Sequence, residues 1–167
     1  MQYLAIDPGL DGGICIIREV GKKTEFRLYD IPTITEKIGK KLRRRYDIST
    51  LISFFKDIPA GDSFAVLEKS LAMPGQSSTA MVSIGFGQGL YQGILASHYI
   101  PFELVHPKKW QKEFSISGDT KSQSFQVASR LFPTAELVTP RGRVLTGRSD
   151  SLLMSEYARR KYSKENF

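Results

Sequence analysis

Two short apolar segments of the chain each end in a carboxylate. The first is Tyr3-Leu4-Ala5-Ile6-Asp7, which Pro8-Gly9 follows, and the second is Phe64-Ala65-Val66-Leu67-Glu68. Short, continuously apolar runs that turn residues interrupt are typical of strands buried in the middle of a sheet. The pattern therefore predicts a sheet in which two core strands each carry an acid at their end.

Further strands are predicted on both sides of these two segments. Glycines separate the apolar Ile14–Ile17 from the first strand, and Phe26–Ile31 alternates in polarity, so the first three strands suggest an antiparallel meander. Pro101–Val105 supplies a last strand. Four segments have helical spacing of apolar residues, with Asp47 opening the first. The helical segments run from Asp47 to Phe55 and over Thr79–Tyr99, Ser122–Phe132 and Asp150–Tyr162. We therefore predict an α/β fold, a mixed five-stranded sheet flanked by helices, in a single domain over residues 1–167.

The charge of the chain favours an anionic partner. Lysine and arginine number 24 against 17 aspartates and glutamates, which gives a formal net charge of +7 and a sequence pI near 9.5. Because no basic amphipathic helix with an aromatic face is evident, nucleic acid is favoured over a membrane surface. The alternative is a basic protein whose charge serves solubility alone.

The location of the protein is predicted from what the sequence lacks. No apolar run approaches the ~20 residues that a membrane helix needs, and no secretory signal is visible at Met1. The single cysteine, Cys15, excludes an internal disulfide. These features predict a cytoplasmic protein with no membrane partner.

Three carboxylates in separate settings are candidates for one metal site. Asp7 and Glu68 end core strands, and Asp150 lies where an arginine-rich loop enters the last predicted helix. Carboxylate oxygens are the ligands that Mg²⁺ prefers, so convergence of the three would suggest a metal-dependent enzyme acting on nucleic acid. Each acid alone has an ordinary alternative: Asp-Pro-Gly is a common turn, Glu68 could be solvated, and Asp150 could offset a helix dipole.

A basic stretch follows the meander. Residues 37–46 contain six lysines and arginines, and they lie in a polar segment predicted as a surface loop. Such a loop either is simply solvated or follows the phosphate backbone of a nucleic acid. On the second interpretation its DNA contacts are Lys40, Lys41, Arg43, Arg44 and Arg45. Gln76 and Ser77, in a polar loop after Glu68, either contact DNA or cap the next helix. Trp110 and Phe114 are expected in the core.

Several motifs in order along the chain resemble the RuvC family of Holliday junction resolvases, within the RNase H-like nucleases. The matching segments are Ala5-Ile6-Asp7-Pro8-Gly9-Leu10, Leu67-Glu68, Gly87-Gln88-Gly89, Val105-His106-Pro107-Lys108, Thr120-Lys121-Ser122 and Arg148-Ser149-Asp150-Ser151-Leu152-Leu153. They extend over nearly the whole chain. The ending around Gly147 and Asp150 is more similar to the short phage and low-GC bacterial branch.

The resemblance implies an RNase H-like fold and a role for each matching residue. Asp7, Glu68 and Asp150 match the catalytic acids that bind metal, and Lys121 matches a lysine that contacts the scissile phosphate. Lys108, Lys109 and Arg148 fall where basic DNA contacts are expected. The implied cofactor is Mg²⁺, with Mn²⁺ as a substitute and two ions per site. The implied substrate is a four-way DNA junction, cut by paired symmetric nicks, and two nicks imply a homodimer.

The chain departs from the family pattern at two positions. Gly147 stands where the main branch has a fourth acid, so that ligand is absent, is replaced by water, or comes from Asp119 or Glu156. Leu71 stands closest to the position of an aromatic that wedges into the junction.

Three rival functions stay open at this level. The first is a relaxed nuclease that cuts flaps and forks. The second is an ATPase related to sugar kinases, because Asp7-Pro8-Gly9 also fits their phosphate loop, although 167 residues leave little room for a second domain. The third is a non-catalytic junction-binding protein, which the glycine at position 147 permits.

Overall fold

The computed structural model describes residues 1–21, 23–70, 75 and 77–163. Its strands are β1 (Gln2–Asp7), β2 (Gly13–Val20), β3 (Lys23–Asp30), β4 (Thr33–Ile38), β5 (Lys41–Tyr46), β6 (Ser63–Glu68) and β7 (Phe102–Val105). Its helices are α1 (Ile48–Lys56), α2 (Ser78–Ser97), α3 (Pro107–Glu113), α4 (Thr120–Leu131) and α5 (Thr146–Tyr162).

Five strands form the central sheet in the order β3-β2-β1-β6-β7. The strands β1, β2 and β3 pair antiparallel, whereas β1, β6 and β7 pair parallel. The prediction of a mixed five-stranded sheet that begins with an antiparallel meander is confirmed. The buried position of β1 and β6 in the middle explains why their sequences are continuously apolar.

Helices cover both faces of the sheet, because side chains along a strand point alternately to opposite sides. Tyr3 and Ala5 belong to a core under α3, α4 and α5. Leu4 and Ile6 belong to a second core that includes Leu51 of α1 and residues of α2. None of the helices in the described ranges is both long and apolar enough to cross a membrane.

The basic segment after β3 is not the loop expected from its composition. Strands β4 and β5 pair as an antiparallel hairpin separate from the central sheet, with Thr33 opposite Tyr46 and Ile38 opposite Lys41. All residues of β5 before Tyr46 are exposed. The hairpin therefore presents its basic side chains from a rigid pleated surface.

The last helix also begins earlier than predicted. It starts at Thr146, so Asp150 lies in the second turn of α5 rather than at its N-terminus. The explanation of Asp150 as an acid that offsets the helix dipole is therefore weakened, because that effect is confined to the first turn.

Candidate active site

Asp7 and Glu68 lie side by side at the same edge of the sheet. In the parallel pairing of β1 and β6, Ile6 lies opposite Leu67, and the two acids are the next residues on each strand. The carboxyl ends of neighbouring parallel strands are a common place for binding and catalytic groups. The pairing therefore places the first two predicted acids together.

Helix α5 brings Asp150 to the same region. The hydroxyl of Ser155 donates a hydrogen bond of 2.6 Å to the backbone carbonyl of Tyr3, and this fixes the helix across β1. Asp150 precedes Ser155 by little more than one turn, near the carboxyl end of the strand. The charge of Asp150 raises the pKa of Glu68, and the charge of Asp7 raises the pKa of Asp150. The three carboxylates therefore lie close enough to interact.

Burial raises the pKa of all three acids, and repulsion within the cluster adds to the rise for Glu68 and Asp150. For Glu68 burial is the main cause, and the charges of Asp7 and Asp150 add to it, so that its pKa rises to about 8. Burial likewise raises the pKa of Asp150 to about 7, with Asp7 adding to the effect. The pKa of Asp7 is raised by burial, although the Gly9 N–H, which lies 3.3 Å from its Oδ1, opposes the rise. Closely spaced carboxylates with raised pKa values are typical of sites that bind a cation.

An unpartnered carboxylate oxygen is part of this cluster. Oδ1 of Asp150 is buried and has no hydrogen-bond partner among the residues that the structure describes, and the same holds for the hydroxyl of Ser124 on α4. The Ser124 hydroxyl lies near Asp150 and lowers its pKa, against the effect of burial. The Ser124 hydroxyl and Oδ1 of Asp150 nevertheless do not meet the geometry of a hydrogen bond. A buried polar atom without a partner costs free energy, and a bound cation would remove that cost.

The acids are close enough to interact but are not drawn into a closed metal cluster. Across residues 1–21, 23–70, 75 and 77–163, no three histidine, cysteine, aspartate or glutamate side chains are arranged to hold an ion as they stand. Their chemistry nonetheless fits a hard divalent cation, since all three are oxygen donors, they repel one another, and one donor atom lacks a partner.

Lys121 lies near the acids. It is an exposed residue in the first turn of α4, and its charge lowers the pKa of both Asp7 and Asp150. The preceding Asp119 caps the helix, with its Oδ1 lying 3.4 Å from the Ser122 N–H. The carboxylate of Asp119 therefore serves as the N-cap of α4.

Glu156 does not face the site either. Its two carboxylate oxygens accept hydrogen bonds of 2.7–2.8 Å from the guanidinium groups of Arg159 and Arg160. Six positions along α5 also turn the helix by about 600°, so Glu156 points away from Asp150.

Gly147 lies in close contact with the loop after β1. A Cβ at position 147 would overlap the backbone of Asp11 and would lie 2.6 Å from the Cα of Gly12. Conversely, a Cβ on Gly13 would lie 2.6 Å from the Gly147 carbonyl oxygen. No side chain fits at position 147, so an acid there is excluded by packing.

Trp110 has a role that its sequence position did not reveal. Its side chain is 1% exposed, as expected of a core residue, but its indole Nε1 donates a hydrogen bond of 2.8 Å to Oε2 of Glu68. The bond also lowers the pKa of Glu68 against the effect of burial. Trp110 therefore orients one of the three acids.

The hairpin is attached to the loop that follows Asp7. Arg44 donates hydrogen bonds to Asp11 at 2.7 Å and to the Leu10 carbonyl at 2.6 Å. The buried hydroxyl of Tyr46 donates to the Pro8 carbonyl at 2.7 Å. Gly87 of α2 packs so closely against this hydroxyl that a Cβ would overlap it. These contacts fix the hairpin, which carries the predicted DNA-binding residues Lys40, Lys41, Arg43, Arg44 and Arg45, to the loop that follows Asp7.

A glutamine of α2 holds the chain after Glu68. Oε1 of Gln88 accepts a hydrogen bond of 2.7 Å from the backbone N–H of Ser70, while its Nε2 is buried and has no partner within the described ranges. Gln88 stands in the Gly87-Gln88-Gly89 motif, which was the available signal for this role.

The remaining predicted DNA contacts occupy different settings. Lys108 is exposed at the start of α3, where His106 caps the helix. Lys109 makes a 2.8 Å ion pair with Glu103. Ser77 caps α2 by accepting from the Ala80 N–H at 3.2 Å. Arg148 donates to both carboxylate oxygens of Asp30, at 2.7 and 2.9 Å, and so joins α5 to β3. Gln76 and Leu71 lie outside the described residues.

The fold is similar to solved structures of RuvC from Thermus thermophilus. One of these is 13% identical to this chain, with a TM-score of 0.57 over 96% of this chain and 97% of that chain. A second, T. thermophilus RuvC in complex with Holliday junction substrate, is 11% identical, with a TM-score of 0.60 over 98% and 96% of the two chains. No family model and no curated protein matches the sequence. The RNase H-like architecture that the motifs implied is thereby confirmed.

Proposed function

We propose that this protein is a metal-dependent endonuclease that cuts branched DNA, with the four-way junction as its preferred substrate. The observation that carries the proposal is the clustering of Asp7, Glu68 and Asp150 beside Lys121 at one edge of the sheet. The net charge of +7 and the similarity to a RuvC structure bound to a Holliday junction support a DNA substrate.

The three acids would hold Mg²⁺, with Mn²⁺ as a substitute and two ions per site. Divalent ions bound there would supply the positive charge that phosphodiester hydrolysis requires. Trp110 keeps the carboxylate of Glu68 in one orientation, and the Gly9 N–H does the same for Asp7. The cost of burying the three charges together is therefore compensated when the cation arrives.

Lys121 acts on the substrate directly. It lies near the acids but is itself exposed, so its ammonium is free to reach a phosphate oxygen and stabilise the charge that develops during cleavage. Replacing it with alanine should lower the cleavage rate by about 10²-fold or more, as the loss of one such charge does elsewhere, and leave junction binding nearly unchanged.

The basic hairpin supplies affinity without sequence preference. Lys40, Lys41, Arg43, Arg44 and Arg45 are exposed on a surface that leads to the acids, and Lys108 and Lys109 extend the positive charge along α3. Ser77 and Gln76 are proposed as contacts near the start of α2. Arg148 is proposed as a positive charge close to the substrate, although its guanidinium binds Asp30.

A homodimer would place two such sites on one junction. Helix α2 supports this proposal, because Gly85, Gly89 and Gly93 lie on one exposed face, and a Cβ added to any of them meets no described atom within 4 Å. Met81 continues this face and is 42% exposed. Close packing of two copies along the glycines would bury it. Gly89→Leu should then produce a monomer in sedimentation analysis, whereas Gly61→Leu, in an open turn, should not.

The proposal is tested with a labelled synthetic four-way junction incubated with Mg²⁺, Mn²⁺ or EDTA, beside a linear duplex and a flap. Paired symmetric nicks that require metal and favour the junction support it. Equal cutting of the flap would replace strict junction resolution with a relaxed branched-DNA activity. Binding without cutting under any metal would make the protein a non-catalytic junction binder. The cytoplasmic location, the single domain over residues 1–167 and the phage-like branch stay predictions.

A further inference from the structure

A cleft of about 590 Å³ lies between the hairpin and the N-terminal half of α2. One wall is the face of the hairpin that carries Ile34, Ile38, Arg43 and Arg45, and the other is formed by Val82 and Phe86. We infer that this hairpin cleft binds one unpaired nucleotide of the DNA, with its base against Phe86 and its phosphate at Arg43. The inference rests on the proposed function and adds a second contact to it.

Phe86 is placed as a stacking surface. Its side chain is 52% exposed, an unusual fraction for a phenylalanine, and its ring packs on Tyr46 at a centroid distance of 5.9 Å and an angle of 34°. Tyr46 is held in turn by the hydrogen bond that its hydroxyl donates to the Pro8 carbonyl. Phe86 thus has a rigid support behind it and an open side in front, as aromatic residues that bind single-stranded nucleic acid do.

The charges along the cleft select an anion. Strand alternation places Arg43 and Arg45 on the same face of the hairpin as Ile34, Glu36 and Ile38. Glu36 is the one acid between residues 33 and 46, and it forms a 3.2 Å ion pair with Arg45. Asp47, also at the cleft, accepts two hydrogen bonds from Thr50. Arg43 lines the cleft, is exposed and forms no ion pair within the part of the chain that the structure describes, so its guanidinium can meet a phosphate.

The mixed lining distinguishes a nucleotide from a second copy of this chain. An apolar surface next to arginines matches a base joined to a phosphate, whereas a second copy seated symmetrically in the cleft would bring the same hairpin arginines against one another. The volume suits one nucleotide, since small-ligand sites are commonly ~300–1,000 Å³. It is too small to enclose a duplex.

The cleft reaches the loop that follows Asp7 and borders the proposed dimer face on α2. Leu10, three residues after Asp7, lines it, and Tyr46 joins it to Pro8. On α2, at 100° per residue, Phe86 lies on the flank toward the hairpin, with Thr79 and Ser83, whereas Gly85 and Gly89 lie on the adjacent face. The cleft and the proposed dimer face are therefore neighbours on α2.

The test measures binding of oligothymidylate to the full-length protein in EDTA, so that cleavage plays no part. Phe86→Ala should weaken binding by about 5- to 100-fold, the effect of losing one base–aromatic stack. Phe86→Trp should retain affinity, and its tryptophan emission should be quenched on binding, because Trp110 is buried and contributes a constant background. Val138→Ala, at an exposed apolar residue outside the cleft, is the matched control.

Each outcome separates this inference from the proposed function. Equal affinity of wild type and Phe86→Ala for oligothymidylate, while wild type still cuts the junction, would overturn the nucleotide cleft alone. A change in sedimentation by Phe86→Ala with unchanged DNA affinity would also overturn it, because the cleft would then be a protein interface. Loss of affinity in Phe86→Ala with quenching in Phe86→Trp supports the inference, even if wild type fails to cut any substrate and the nuclease proposal is lost.

Discussion

The indole Nε1 of Trp110 donates a 2.8 Å hydrogen bond to Oε2 of Glu68, across 42 positions of the sequence. The bond enters from the core side of the sheet and leaves the other carboxylate oxygen available. Groups that orient a metal ligand in this way commonly affect metal affinity by about 10- to 100-fold.

Trp110→Phe should therefore weaken the response to metal without unfolding the protein. Phenylalanine keeps most of the buried ring but cannot donate, so the pKa of Glu68 rises and the carboxylate is freer to rotate. We expect the Mn²⁺ concentration needed for half-maximal cleavage to rise about tenfold. Phe114→Leu, a substitution of similar size on the same side of the core, serves as the control, and equal metal dependence in Trp110→Phe and wild type would remove the positioning role.

Without metal, the protein should become less stable as pH rises. The pKa of Glu68 is about 8 and that of Asp150 about 7 in the folded protein, both above their unfolded values near 4. The folded state thus retains protons that the unfolded state releases, so the free energy of unfolding falls between about pH 4 and pH 8.

The substitution Asp150→Asn should reduce this dependence. Asparagine cannot ionise, and without the charge at position 150 the repulsion on the Glu68 carboxylate is smaller. In EDTA at about pH 8.5, the melting temperature of the variant should therefore exceed that of wild type by a few degrees. The difference should shrink near pH 5. Thermal melts of Glu25→Gln, at an exposed position on β3, give the comparison, and a variant that is less stable than wild type at high pH would contradict the account.

Position 147 should tolerate no side chain. Gly147→Ala places a Cβ against the backbone of Asp11 and Gly12, which has no room to move because Gly13 packs against the same turn of α5. We expect a loss of at least ~2 kcal/mol in the free energy of unfolding, typical of overpacking against backbone. Urea unfolding of Gly147→Ala beside Gly61→Ala, where the surroundings are open, measures it; equal midpoints would show that the contact is not tight.

The hairpin should account for part of the salt dependence of DNA binding. Arg43→Gln with Arg45→Gln removes two exposed charges and leaves the anchors Arg44 and Tyr46 in place. The slope of log affinity against log salt should become shallower by up to about 2, since each phosphate contact contributes roughly 0.9. Arg27→Gln on β3 controls for net charge, and an unchanged slope in the double variant would place the hairpin away from DNA.

The strands of the central sheet were predictable because their signal is local. The apolar runs that end at Asp7 and Glu68 have no other stable placement than the sheet interior. The order of the motifs indicated that the two acids lie at the same edge of the sheet. The hairpin was not predictable in the same way, because β5 buries only Tyr46, so its strand character depends on cross-strand pairing and on docking to Pro8 and Leu10.

The acids of the proposed site were identified from the sequence, whereas the residues that support them were not. Asp7, Glu68, Asp150 and Lys121 could be named from their motifs, whereas the bond from Trp110 depends on a contact between distant segments that no local pattern encodes. The sequence showed that Gly147 departs from the family pattern. The reason, overlap of any Cβ with the loop after β1, depends on a contact between distant segments.

The most direct test of the central claim is cleavage of a labelled four-way junction by Glu68→Gln in Mg²⁺, beside wild type and Glu25→Gln. The substitution preserves shape and removes one negative charge from the proposed metal site. The account predicts that Glu68→Gln binds the junction as wild type does but cuts it at least ~10³-fold more slowly, as loss of an essential catalytic group does, while Glu25→Gln cuts normally. Cleavage by Glu68→Gln at the wild-type rate would contradict the assignment of these acids as the catalytic centre.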